Sequence, residues 1–276
     1  MDTHFICPVC AGSLHMEGKS FRCALGHTFD LSGEGYVNLA PPQKSALSGD
    51  APDSCKARRR FLERGFYAPL AEELGALLAA HGVGKENELI LDAGCGEGYY
   101  SRILKKHFPS AAVYGVDLAK SAIKLAAKAE KNKPEADRCH FAVAGIFALP
   151  FATESASAVV SVFAPVADAE DRRVLRKDGF LVVACSGKRH LYGLKEQLYE
   201  TATENEEKIP DYEGFSLLEE ARVRYDMHLS EEESADLFAM TPYYWRSAAD
   251  IREHSAHLGA LTVEADFLVK LYQRNG

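Results

Sequence analysis

The stretch Leu91-Asp92-Ala93-Gly94-Cys95-Gly96-Glu97-Gly98 decides how the rest of the chain is read. It follows the apolar run Leu89-Ile90-Leu91 and precedes a helical pattern from Tyr100 to His107, so a strand, a glycine-rich turn and a helix come in order. Glycines let the backbone turn sharply and approach a ligand closely, and the helix start offers free N–H groups. A dinucleotide fingerprint needs G-x-G-x-x-G; counted from Gly94 the third glycine position is Tyr99, and from Gly96 it is Ser101, so the pyrophosphate form is not met. In the D-x-G-x-G-x-G form present, an acid at the strand end, Asp92, suits a ligand bearing an amine or sulfonium cation. Asp117 closes the next apolar segment, Ala111 to Val116, and is placed to accept from two ribose hydroxyls.

Outward from this unit the same alternation continues. Residues 118–131 read as an alanine- and lysine-rich helix, 140–143 and 156–163 as strands, 168–175 as a short helix and 179–185 as an apolar strand. Such alternation predicts a mostly parallel sheet with helices on both faces. Residues 217–228 and 262–272 read as two longer strands forming an antiparallel edge. Upstream, Phe66, Leu70, Leu74, Leu77 and Leu78 keep helical spacing until Gly82 and Gly84.

The chain has 276 residues, 47% of them hydrophobic and 26% charged, which suits one large or two small domains. No window reaches the roughly 18 apolar residues of a membrane span, the first ten residues lack a signal peptide's pattern, and an odd count of 7 cysteines gives no disulfide framework. These features point to a cytoplasmic protein. A net charge of −8 argues at first sight against nucleic acid. Residues 199–236, however, hold 13 acidic against 3 basic side chains, so the remainder is slightly basic. That acidic segment is expected to face away from any polyanion, while Lys56, Arg58, Arg59, Arg60 and Arg64 form a basic run that is either a phosphate-binding strip or a solvated helix face.

Cys7, Cys10, Cys23 and His27 follow C-x2-C-x12-C-x3-H. Four such ligands close a tetrahedral zinc site and leave no position for catalytic water, so the metal is structural, stapling a unit too small to fold alone. Residues 1–40 are read as this zinc-binding domain, 41–60 as a linker, and 61–276 as the second domain. The other cysteines read as small buried side chains, Cys95 in the turn excepted.

The glycine turn with Asp117 resembles the class I S-adenosylmethionine-dependent methyltransferases. With the zinc motif followed by Thr28-Phe29-Asp30 and Gly35-Tyr36-Val37-Asn38-Leu39, then Ala57-Arg58-Arg59-Arg60-Phe61-Leu62, Cys95-Gly96-Glu97-Gly98-Tyr99-Tyr100, Met240-Thr241-Pro242 and Trp245-Arg246, the chain resembles the RlmA family of bacterial 23S rRNA (guanine-N1)-methyltransferases over nearly its full length. The resemblance implies a Rossmann-like α/β fold with a seven-stranded, mostly parallel sheet, a zinc-containing RNA-recognition domain, a homodimer, and methylation of guanine 745 or 748 in a hairpin of domain II. It further implies a cofactor site of Asp92, Gly94, Cys95, Gly96, Glu97, Gly98, Tyr99, Asp117 and Leu118. Ala144-Gly145-Ile146 and Phe163-Ala164-Pro165 stand where many superfamily members carry an acid, so backbone groups would meet adenine there, with Ile146 and Phe147 as apolar walls. Guanine N1 must lose a proton and leave its stack. Arg58, Arg59, Arg60, Phe163, Tyr244 and Trp245 are the candidates for holding the RNA; no residue is assigned as general base, Asp168 and Glu34 reading better as surface carboxylates. A methyltransferase for another RNA or a small molecule, and an RNA-binding protein without catalysis, are the alternatives; the intact loop speaks against the last.

Overall fold

A computed structural model describes residues 2–41, 51–207, 210–246 and 258–276, with Asp2, Trp245 and Arg246 described in backbone only. The first unit is an antiparallel meander of four short strands, β1 (Asp2–Ile6), β2 (Ser13–Glu17), β3 (Ser20–Arg22) and β4 (Thr28–Asp30). A two-residue strand, β5 (Val37–Asn38), leaves the meander and joins the large sheet.

The second unit begins earlier than expected. Helix α1 (Pro52–Glu63) occupies most of what reads in sequence as the second half of a linker, with Pro52 starting it and Gly65, at φ +85°, following its end. Its three arginines break the apolar period, yet Cys55, Ala57, Phe61 and Leu62 share a buried face. Residues 42–50, the rest of that linker, lie outside the described residues. Then follow α2 (Ala68–Ala80), β6 (Leu89–Ala93), α3 (Tyr99–His107), β7 (Ala112–Asp117), α4 (Lys120–Glu130), β8 (Cys139–Val143), β9 (Ala156–Val162), α5 (Asp168–Val174), β10 (Leu175–Ser186), α6 (Tyr192–Leu198), β11 (Phe215–Leu229), α7 (Glu231–Met240), α8 (Pro242–Arg246) and β12 (Leu261–Arg274).

The sheet order is β11-β12-β10-β9-β6-β7-β8-β5. The seven expected strands are present, parallel except where β12 pairs antiparallel with β10 and β11, and β5 adds an eighth at the far edge, parallel to β8. Every residue of β6 and β9 is buried, as befits parallel strands covered on both faces.

Helices cover both faces, and on one of them the meander packs beside the helix. One core combines Ile90, Val113 and Val160 with Leu74 of α2, Leu104 of α3, Ile123 of α4 and Leu194 of α6. The other combines Leu91, Tyr114 and Val159 with Val174 of α5 and with Phe5, Leu14 and Phe21 of the meander. No helix lies between β8 and β9, and Phe5 fills that space, edge-on to Tyr114 at 4.9 Å and 5.3 Å from Phe151. Backbone bonds from Ile6 N–H to the Pro150 carbonyl and from Leu39 N–H to the Val143 carbonyl, both 2.9 Å, fasten the seam. The meander thus has no separate core; it completes that of the sheet.

Candidate functional site

The order of the strands places the site. β6 has β7 on one side and β9 on the other, so chain direction across the sheet reverses there and a crevice opens beyond the carboxyl ends of the strands. A cleft of about 1330 Å³ lies at this point.

Its floor is the turn between β6 and α3. Gly94, Gly96 and Gly98 all have positive φ, +84°, +55° and +74°. A Cβ on Gly94 would meet Ala164 at 2.6 Å, and one on Gly98 would meet Phe141 at 2.6 Å, so both turn geometry and crowding require glycine. Asp117 braces the turn, with one carboxylate oxygen accepting from Gly96 N–H at 3.0 Å and the other from Ala119 N–H at 2.7 Å. Its side chain also lines the cleft. Gly94, Cys95, Gly96, Glu97, Leu118, Ile146 and Phe147 line it too, Phe147 being 69% exposed.

Three residues expected at the cofactor do not face the cleft. Asp92 lies beneath the turn, 1% exposed, accepting from Ser101 Oγ at 2.5 Å. Burial raises its pKa to about 7, Asp117 and Glu97 adding to the effect against the Ser101 bond. In that position it braces the turn from below through Ser101. Gly98 and Tyr99 start α3, the former packed on Phe141, the latter against Tyr100. The buried acid that does reach the cleft is Glu97: it is 2% exposed, its Oε2 has no hydrogen bond, and Arg58 Nη1 stands 3.8 Å away.

The roof comes from α1, whose Ser54, Arg58 and Leu62 recur every four residues along the cleft, and from residues 240–243. The basic run therefore does not form one strip. Arg58 faces the glycine turn; Arg59 bonds Glu63 at 2.9 Å and the Leu125 carbonyl at 3.3 Å; Arg60 grips Asp236; Arg64 pairs with Glu232 and Glu233 at 3.0 and 3.2 Å. The acidic segment is not turned away either, since Glu204 and Glu206 line the cleft and the acids of α7 neutralise α1.

Farther along the cleft Phe163 follows β9 at φ +55°, strained for a side chain of its size and 45% exposed. Its ring lies near-parallel to His190 at 20° and 5.9 Å. His190 and its partner Tyr67 were not singled out in sequence. Burial lowers the imidazole to about pKa 4, so it is neutral; Nδ1 accepts from Asp266 N–H at 3.3 Å, which leaves Nε2 to donate to Tyr67 Oη at 3.3 Å. A histidine just past a parallel strand at the carboxyl edge was the signal available for it. Tyr244 packs edge-on against Phe238, Asp168 bonds its neighbour Ala169 N–H, and Glu34 pairs with Lys124 at 3.1 Å. The Trp245 side chain lies outside the described residues.

At the other end of the chain Cys7, Cys10, Cys23 and His27 place their ligand atoms within 4.8 Å of one another. Cys10 Sγ to Cys23 Sγ is 3.7 Å, and His27 Nδ1 stands 3.6 and 3.3 Å from Cys7 and Cys23. With Zn–S near 2.3 Å and Zn–N near 2.0 Å, a tetrahedron has edges of about 3.5–3.8 Å, so the donors fit zinc bound through Nδ1. The turns that carry them use positive φ at Ala11 and Gly26, and their tips, Val9 and Leu25, are exposed.

Comparison with known proteins agrees with this construction. Residues 5–46 match the family described as "RlmA, N-terminal", a zinc ribbon, and residues 90–179 match "Methyltransferase domain". A 23S rRNA (guanine(748)-N(1))-methyltransferase of Streptomyces fradiae is 32% identical over 253 residues, 88% of this chain and 86% of its own. YxjB of Bacillus subtilis strain 168, provisionally named a 23S rRNA (guanine-N(1)-)-methyltransferase, is 32% identical over 96% of both chains. The crystal structure of the YcgJ protein from Bacillus subtilis shares the fold, with a TM-score of 0.50 at 13% identity over 74% of this chain and 99% of that one. A zinc ribbon completing the core of a methyltransferase sheet, an intact glycine turn and relatives of this extent together make the chain a member of the RlmA family of 23S rRNA (guanine-N1)-methyltransferases.

Proposed function

We propose that the protein methylates N1 of one guanine in 23S rRNA, at position 745 or 748, using S-adenosylmethionine. The observation that carries this reading is the union of the ribbon and the donor cleft in one body, shared with the Streptomyces relative named for guanine 748. The donor, when bound, supplies a methyl group already activated on a sulfonium. The protein's own work is to orient and to desolvate. The glycine turn and Asp117 hold the nucleoside part, with Ile146 and Phe147 as apolar walls for adenine. Phe163, exposed at the mouth of the cleft, offers its face to the guanine once the base leaves its stack. The ribbon, with its exposed knuckle tips, serves recognition of the RNA hairpin, with Tyr244 and Trp245 as further contacts.

Among the described residues no helix is long and apolar enough to cross a membrane, and the proposal includes action in the cytoplasm as a homodimer. Sedimentation of the zinc-loaded chain tests the dimer. Mass mapping of 23S rRNA after incubation with protein and donor tests the reaction. A single gain of one methyl mass, on a guanine that then blocks reverse transcription, is the expected result. Unmodified rRNA together with methylation of a small molecule or another RNA would overturn the reading.

A further inference from the structure

The acidity of the chain has a counterweight. Between Tyr99 and Lys133 stand eight Lys and Arg side chains against two acids, Asp117 and Glu130. Both acids are engaged within the fold: Asp117 braces the glycine turn, and Glu130, 3% exposed, accepts from Cys139 N–H at 2.9 Å and stands 2.6 Å from Lys133 Nζ. What reaches the surface is lysine. On α4 and its C-cap, Lys120, Lys124, Lys128 and Lys131 recur every three or four residues and are all exposed, whereas Ala122, Ile123, Ala126 and Ala127 of the opposite face are buried. Lys124 bonds Glu34 at 3.1 Å and, with Lys131 at longer range, holds that carboxyl below its usual range. Lys120, Lys128 and Lys131 form no ion pair among the described residues.

This arrangement does not favour the helix itself. Like charges four residues apart repel, a lysine in the first turn opposes the helix dipole, and a solvated face ordinarily mixes signs. Elsewhere the chain matches its cations, as Arg22, Arg173, Arg176 and Arg224 each hold a carboxylate. The position of the stripe shows what it can meet. It begins three residues after Asp117, at the rim of the cleft, and at Lys124 it meets the loop between β4 and β5 of the ribbon through Glu34. Successive turns are about 6 Å apart, close to the separation of phosphates along a nucleic-acid strand, and Lys120 to Lys131 spans about 16 Å. The apolar face of α4 is already buried on the protein, so it has none to place in a lipid surface. We propose that the lysine face of α4 is the track for the phosphate backbone of the RNA's stem, holding the hairpin beside both the ribbon and the mouth of the cleft. The inference rests on the 23S rRNA reading and adds a surface that none of the sequence motifs marked. Lysine suits the task, because a compact charge on a flexible stem follows a backbone without reading bases.

Binding of a 23S rRNA hairpin fragment to the full, zinc-loaded chain, measured over a series of salt concentrations, tests the track. Lys120→Gln, Lys128→Gln and Lys131→Gln together remove three cations and leave Lys124 with Glu34. The triple variant is expected to bind the hairpin roughly 10–100-fold more weakly at low salt, and its slope of log K against log salt should flatten by about 2–3 units. The loss should be equal for a hairpin whose target guanine is replaced, since phosphate contacts carry no sequence. Lys85→Gln with Lys177→Gln, exposed lysines near the amino ends of β6 and β10 and so away from the cleft, is the control and should change little. The affinity for S-adenosylhomocysteine and the melting temperature of the triple variant should match the wild type, which separates a lost RNA contact from a damaged fold. An unchanged salt slope in the triple variant, an equal loss per lysine in the control, or a loss seen only with the target guanine present would overturn the track and leave the rRNA reading standing. A wild-type chain that binds S-adenosylhomocysteine but no 23S hairpin would overturn that reading itself.

Discussion

Arg60 closes on Asp236 with Nε 3.0 Å from Oδ2 and Nη2 2.5 Å from Oδ1, joining helices 176 residues apart in sequence. Asp236 is buried and Arg60 half-exposed, so the bridge is partly screened but one-sided in its risk. Arg60→Ala strands a buried carboxylate and is expected to cost about 1–3 kcal/mol, below the 3–5 of a fully buried pair. Urea denaturation at neutral pH measures it. The double variant Arg60→Ala, Asp236→Ala should recover part of the loss, and equal stability of the single variant and wild type would refute the account.

Asp92 gives a pH prediction. Its pKa is raised by burial to about 7 from an ordinary 3.8, so the folded protein binds more protons than the unfolded chain between those values. Its contribution to stability is therefore full below about pH 4 and is lost as pH rises to 7. His190, lowered by burial to about 4, acts in the opposite sense over nearly the same range, which is why the variant comparison matters. Asp92→Asn keeps the acceptor for Ser101 and removes the titration. Its stability relative to wild type should climb from pH 4 to pH 7 by something on the order of 2–4 kcal/mol, and parallel pH profiles would contradict the raised pKa.

Phe163→Ala should leave donor binding within about twofold and slow rRNA methylation by roughly 10–100-fold, the value of one base–aromatic stack. The backbone strain at φ +55° is the same for alanine, so folding is not the confounder. Single-turnover transfer of a radiolabelled methyl group measures it; an undiminished rate at saturating RNA would remove Phe163 from the substrate site.

Cys23→Ala should release the zinc, detected by elemental analysis of the purified chain, and lower RNA affinity more than donor affinity. Because Phe5 and Phe21 complete a core of the sheet, it should also expose apolar surface and lower the melting temperature. Unchanged metal content would show the ligand set to be wrong.

Most of the catalytic body was legible from residues 89–117 alone, because a buried parallel strand is a continuous apolar run and its glycine turn has few other uses. The ligand spacing of the ribbon was equally plain. Its seat was not: Phe5, Leu14 and Phe21 sit on strands of three to five residues, too short for a period, and β5 has only two. Helix α1 was obscured by its own arginines, whose partners Glu232, Glu233 and Asp236 lie far along the chain. Proximity of that kind carries no local signal, so the sequence could not show that Arg59, Arg60 and Arg64 of this run also tie α1 to its neighbours.

The pairing of β5 with β8 sets a schedule for synthesis. Val37 and Asn38 leave the ribosome about one hundred residues before Ala142 and Val143, which they must meet. At bacterial elongation rates that is a wait of roughly 5–20 s. During it Phe5 and Phe21 have no sheet to cover, whereas Cys7, Cys10, Cys23 and His27 have all been made, so the ribbon's ligand set is complete long before its apolar face is.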